Sequence, residues 1–162
     1  MRILLALLAL AAALPAQEPA VQEPEPKLNP VKWSLTAPAA ARPGARIEPL
    51  LTATIEEGWH LYSLRHLEGG PIATQIAVPA PQQFKLAGVI DAPVPLTAHE
   101  EAFDMSVEFY FGEVEFTLPI EVNRDAKPGE HKLAVTARYQ ACDNKQCLPP
   151  KTVRLESTIA LK

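Results

Sequence analysis

The segment YQACDNKQCLPP, Tyr139 to Pro150, sets Cys142 and Cys147 five positions apart, between a strand-like run and a double proline. Thiols at that spacing are open to metal binding, to a structural clip, or to redox exchange. Metal binding needs further ligands. His60, His66, His99 and His131 are scattered, no second cysteine pair exists, and C-x4-C alone is not a zinc spacing. Neither a metal nor another cofactor is expected. If bonded, the two cysteines close a loop of about six residues, for which chain entropy supplies only about 2 kcal/mol. The disulfide of a typical immunoglobulin domain instead joins cysteines far apart in sequence. On local sequence, a permanent clip on one hairpin and a redox-active pair both stand.

The N-terminus bears on which compartment the thiols meet. MRILLALLALAAALPAQ has one cation at Arg2, an apolar run from Ile3 to Leu14 and small residues around Ala16. Residues 1–16 therefore read as a secretory signal peptide. The run is shorter than the roughly 20 residues of a bilayer span, and it holds no cysteine for a lipid anchor. The expectation is a periplasmic or otherwise exported protein, soluble and not inserted in a membrane after cleavage, where disulfides form and persist. Residues 17–30, QEPAVQEPEPKLNP, have only Val21 and Leu28 as large apolar side chains and read as a disordered tether.

Residues 31–162 then form one domain of about 130 residues, large enough to bury a core without help from disulfides. The formal net charge is −4, and the lysines and arginines form no basic stripe. Nucleic acid and anionic membrane surfaces are poor partners for such a surface.

The elements that would position the cysteines read as strands. VKWSLTA alternates Val31, Trp33 and Leu35 with polar residues, the period of a half-buried strand. Further strand runs are Ile47 to Ile55, Ile72 to Val78, Phe84 to Ile90, Val107 to Phe111, Val114 to Val122, His131 to Tyr139 and Thr152 to Leu161. PAPQQ, DAPVP, DAKPGE and DNKQ punctuate them as turns. The 17 prolines interrupt almost every window long enough for a helix. Seven or eight short strands predict an all-β, immunoglobulin-like antiparallel sandwich. LTAHEEAFDMS, Leu96 to Ser106, lacks strand alternation and is expected to be a loop with room for one helical turn.

Three ordered segments resemble one family. YQACDNKQCLPPKT is similar to the cysteine motif of the N-terminal periplasmic domain of the thiol:disulfide interchange protein DsbD. EGWHLYS, Glu57 to Ser63, resembles that family's Gly-aromatic-aromatic-Leu-Tyr segment, and HEEAFDMSVEFYFGEVEFTLPIEV resembles its cap loop and following strand. The resemblance implies an immunoglobulin-like sandwich whose cysteines ride on a hairpin subdomain. It implies a Cys142–Cys147 pair that cycles between disulfide and dithiol. A thioredoxin-like protein or a transmembrane thiol reductase would be the donor, and oxidised exported proteins the clients. By motif position, Cys147 forms the intermolecular mixed disulfide and Cys142 resolves it. Phe103 matches the aromatic that lies over the disulfide, Glu101 an acidic residue of the cap, and Tyr62 a tyrosine near the site.

This chain also departs from the family pattern. Its spacer is four residues where the better-known members have five, Ala102 replaces a second acid, and His60 stands where a phenol is frequent. A histidine close to a thiol can stabilise a thiolate. Taken without the resemblance, Phe103 and Tyr62 read as core aromatics, Glu101 as a solvated charge, and His60 as a half-buried structural residue. The chain is expected to be a monomer. With no C-x-x-C and no apolar span after the signal, it is also expected to draw its electrons from a separate protein. The rival expectation is a non-redox binding module whose cysteines form a permanent clip.

Overall fold

In the computed structural model, which describes residues 28–101 and 103–162, every regular element is a β-strand. The signal-peptide reading and all of the tether before Leu28 lie outside the described residues, as does Ala102. In chain order the strands are β1 Val31–Thr36, β2 Ala40–Ala41, β3 Arg46–Ile47, β4 Leu50–Ile55, β5 His60–Tyr62, β6 Gln75–Ala77 and β7 Phe84–Leu86, followed by β8 Leu96–Glu100, β9 Met105–Tyr110, β10 Glu113–Thr117, β11 Ile120–Val122, β12 Gly129–Tyr139, β13 Ala141–Cys142 and β14 Lys151–Leu161. They pair as β1-β4-β10, β3-β11-β7, β2-β14-β12-β6 and β13-β5-β9-β8. All of these pairings are antiparallel except β2 with β14.

The core lies between the β1-β4-β10 sheet and the long β12–β14 ladder. Leu51, Ala53 and Ile55 alternate inward along β4, Val114 and Phe116 along β10, and Leu133, Val135, Ala137 and Tyr139 along β12. Period-2 alternation is what a sheet with one buried face requires. Trp33 of β1 bridges the two layers, its ring 5.3 Å from Tyr139 and 6.1 Å from Phe116. This is the expected all-β sandwich.

Prolines cut two of the expected runs. Ile47 to Ile55 divides into β3 and β4 at Glu48-Pro49, and Val114 to Val122 into β10 and β11 at Leu118-Pro119. Proline offers no N–H to a ladder. Leu118, although between strands, is fully buried.

Leu96 to Ser106 departs from expectation. It is not a loop with a helical turn: Leu96–Glu100 forms β8, paired from Leu96↔Phe109 to Glu100↔Met105 with β9. β8 is the edge of its sheet, and only Glu100 of its residues is partly covered. A strand with no buried face carries no alternation to read. The β8–β9 turn is closed by the Phe103 and Asp104 N–H groups donating to the Glu100 and Glu101 carbonyls, at 3.2 and 3.3 Å.

Candidate redox site

The cysteines sit on an excursion at the end of the longest ladder in the molecule. β12 and β14 pair over eleven positions, from Gly129↔Leu161 to Tyr139↔Lys151, and residues 140–150 leave and return at that closed end. β13 turns aside from the ladder to join the small sheet, where Ala141 opposes Leu61 and Cys142 opposes His60. The first cysteine is thus tied to β5 by backbone pairing.

Cys142 and Cys147 are joined by a disulfide with Cα atoms 4.0 Å apart. The pair is asymmetric. Cys142 is 1% exposed, whereas Cys147 lies open to solvent. The intervening loop is organised by Asp143. Its Oδ1 accepts the Lys145 and Gln146 N–H groups, both at 2.7 Å, and its own N–H donates to the Gln146 carbonyl at 2.9 Å. These backbone donors hold the Asp143 carboxyl below its usual range. On the outer side, the Leu148 N–H donates to the Ala141 carbonyl, and the Gln140 side-chain amide donates to the Leu148 carbonyl.

Around Cys142 lies a cluster separate from the main core. Tyr62, Val107 and Cys142 form its buried part, with Leu67, Phe103, Met105 and Phe109 packed against it. The structure therefore brings Cys142, Tyr62 and Phe103 into one cluster. Phe103, half-buried on the β8–β9 turn, meets Tyr62 edge-to-face with ring centroids 6.5 Å apart. Tyr62 is 3% exposed. Burial, with the Glu100 carboxylate adding to it, pushes its phenol up to about 12, so it stays neutral at physiological pH.

His60 is brought to the same place. Its strand is delivered by a turn in which the Trp59 N–H donates to the Glu56 carbonyl at 3.1 Å and Gly58 takes φ 83°, a conformation that favours glycine. The His60 ring is 5.2 Å from Tyr62, 5.3 Å from Phe109 and 5.8 Å from Phe111. The residue is 7% exposed, and its Nε2 has no hydrogen-bond partner among the described residues. Burial pulls the imidazole below its ordinary value, against the opposing pull of Glu100 and then Asp143.

Glu101 stands exposed on the β8–β9 turn. The carboxylate that acts on both His60 and Tyr62 belongs to its neighbour Glu100. Neither Glu100 nor Asp143 was singled out from the sequence. Asp143 carried a signal, since an aspartate opening D-N-K-Q suits a turn in which its side chain accepts backbone N–H groups. Glu100 carried none, because its placement follows from β8 pairing. Among the described residues no group of three or more His, Cys, Asp or Glu side chains is arranged to hold a metal ion.

The family model for the N-terminal domain of the thiol:disulfide interchange protein DsbD matches residues 32–158. Among solved structures, the chain is similar to the N-terminal periplasmic domain of ScsB from Proteus mirabilis. The TM-score is 0.56 at 20% identity, over 83% of this chain and 48% of that one. It is also similar to the reduced form of the DsbD N-terminal domain from Neisseria meningitidis, with a TM-score of 0.48 at 16% identity, over 76% of this chain and 83% of that one. No curated protein matches the chain.

Proposed function

Since the chain belongs to the family of the N-terminal domain of the thiol:disulfide interchange protein DsbD, whose chemistry is thiol-disulfide exchange, we propose that it passes reducing equivalents between proteins in the periplasm or another exported space. The donor is a thioredoxin-like protein or a transmembrane thiol reductase, and the clients are oxidised exported proteins. The observation that carries this reading is the asymmetry of the pair, with one sulfur residue open to solvent and the other buried against β5.

Exchange proceeds by in-line attack of a thiolate on a disulfide sulfur, so access decides which sulfur meets a partner. In this reading Cys147, the exposed cysteine, forms the mixed disulfide, and Cys142, within the same small loop, attacks Cys147 and releases the partner. Two electrons and two protons pass in each full exchange.

Trapping tests these roles. Cys142→Ser, incubated with a thioredoxin-like protein, should accumulate a mixed disulfide at Cys147, and Cys147→Ser should accumulate none. Equal trapping by both variants overturns the assignment. A reduction potential below about −300 mV would mark a permanent clip resistant to ordinary thiol pools.

A further inference from the structure

The buried imidazole of His60 has a position and a bonding deficit that the exchange chemistry can use. In an antiparallel pair, directly opposed residues point to the same face with Cβ atoms about 4.5–5.5 Å apart. His60 and Cys142 are such a pair. The His60 ring lies among Tyr62, Phe109 and Phe111, and its buried Nε2 meets no partner among the described residues. An unpartnered buried polar atom is costly and calls for an explanation, a redox or catalytic role among them.

We propose that His60 is the proton acceptor for Cys142, taking the thiol proton when Cys142 attacks the mixed disulfide at Cys147. This rests on the exchange function proposed above. In the oxidised protein Cys142 has no proton to give, and Nε2 stands without a partner. In the dithiol protein Cys142 carries an S–H across the β5–β13 pair from an imidazole whose Nε2 has no partner among the described residues. The buried thiol is a poor nucleophile by itself, because burial disfavours its thiolate.

The step balances as follows. Cys147 thiolate attacks a client disulfide, forming the Cys147–client bond and releasing the other client sulfur as a thiolate. The Cys142 proton then passes to His60, and the Cys142 thiolate attacks Cys147. The Cys142–Cys147 bond forms, the Cys147–client bond breaks, and the client sulfur leaves with the electron pair. That sulfur takes up a proton, and the imidazolium gives its own back to solvent.

The charged and titratable groups facing His60 suit this cycle. The carboxylates of Glu100, at the end of β8, and of Asp143, in the cysteine loop, both favour an imidazolium once formed. Tyr62, on the same strand, is neutral. Burial keeps the resting imidazole uncharged near neutral pH and so available as a base.

Reduced protein mixed with Ellman's reagent separates the two steps. Attack by Cys147 releases one coloured thiolate, and resolution by Cys142 releases a second. In the wild type the second phase should rise with pH through the imidazole pKa, below the usual histidine range, and then level off. In His60→Phe it should slow by roughly 100-fold at neutral pH, the lower end of what a positioned base contributes. Its pH profile should move upward toward that of an unassisted thiol, while the first phase is unchanged. A second phase with wild-type rate and pH profile overturns the proposal, as does equal slowing of both phases.

The wild-type protein supplies a measurement that does not depend on how the variant folds. The His60 ring nitrogens, followed by NMR against pH, should titrate differently in the oxidised and reduced forms, because only the reduced form has a proton to share with Cys142. Superimposable curves overturn the proposal. Failure of the wild type to exchange with any thioredoxin-like protein would instead count against the proposed function, and the NMR comparison would still decide the imidazole–thiol coupling.

Discussion

At the scale of single residues, the site is a contrast between a sulfur that is sheltered and one that is not. Phe103 packs into the cluster that Cys142 helps to form, so truncating it opens the sheltered side. Phe103→Ala should be reduced by glutathione several-fold faster than the wild type, with its β-rich circular dichroism intact, since the residue lies on a turn and is only half-buried. An unchanged rate with a marked loss of thermal stability would make Phe103 a packing residue alone. Cys142, Cys147, Tyr62 and Phe103 were legible as candidates because their types and order carry the resemblance, and His60 because it departs from it. What they do to one another was not legible. The opposition of His60 and Cys142 depends on β13 leaving the main ladder to pair with β5, and no spacing within either segment announces it. Glu100 and Glu101 are chemically identical neighbours, and only the end of β8 decides which of them acts on the imidazole.

Among the elements, the cysteine loop owes its shape to Asp143 more than to its length. The carboxylate of Asp143 orders the Lys145 and Gln146 backbone on the way from one cysteine to the other. Preorganising a loop raises the effective concentration of one thiol at the other. Asp143→Ala should therefore shift the equilibrium with the glutathione couple toward the dithiol, measured as the ratio of oxidised to reduced protein at fixed buffer potential. An unchanged equilibrium would show that the disulfide itself, and not Asp143, sets the loop. Strand reading from sequence worked where one face is buried, as in VKWSLTA, and at both long strands of the main ladder. It failed at β8, whose solvated faces leave nothing periodic. It missed β2 and β13, each two residues long, and β5, three residues long, which carries His60 and Tyr62. Pieces that short exist only because a neighbouring strand is there to receive them.

For the molecule as a whole, the main core does not include the disulfide. The large cluster draws on most of the strands, Leu61 of β5, Tyr110 of β9 and Ala141 of β13 included, but Cys142 belongs to the smaller one with Tyr62 and Val107. A loop of about six residues contributes only about 2 kcal/mol by chain entropy, against total stabilities of about 5–15 kcal/mol. The double variant Cys142→Ser, Cys147→Ser should remain folded, with a cooperative melt and unchanged circular dichroism, while losing all exchange. A chain unfolded at room temperature would make the pair structural and remove the physical basis of the redox function. The closed end of the β12–β14 ladder has a further consequence for how such a domain can change. Tyr139 and Lys151 are held opposite each other by eleven paired positions behind them. The distance between the two ends of residues 140–150 is thus set before any residue of that stretch is chosen. Insertions and deletions beyond β13 are bounded by a fixed gap and leave the β12–β14 register intact. A spacer of four residues between the cysteines in place of five is a change of that kind, absorbed between β13 and the start of β14 without altering any pair of the long ladder.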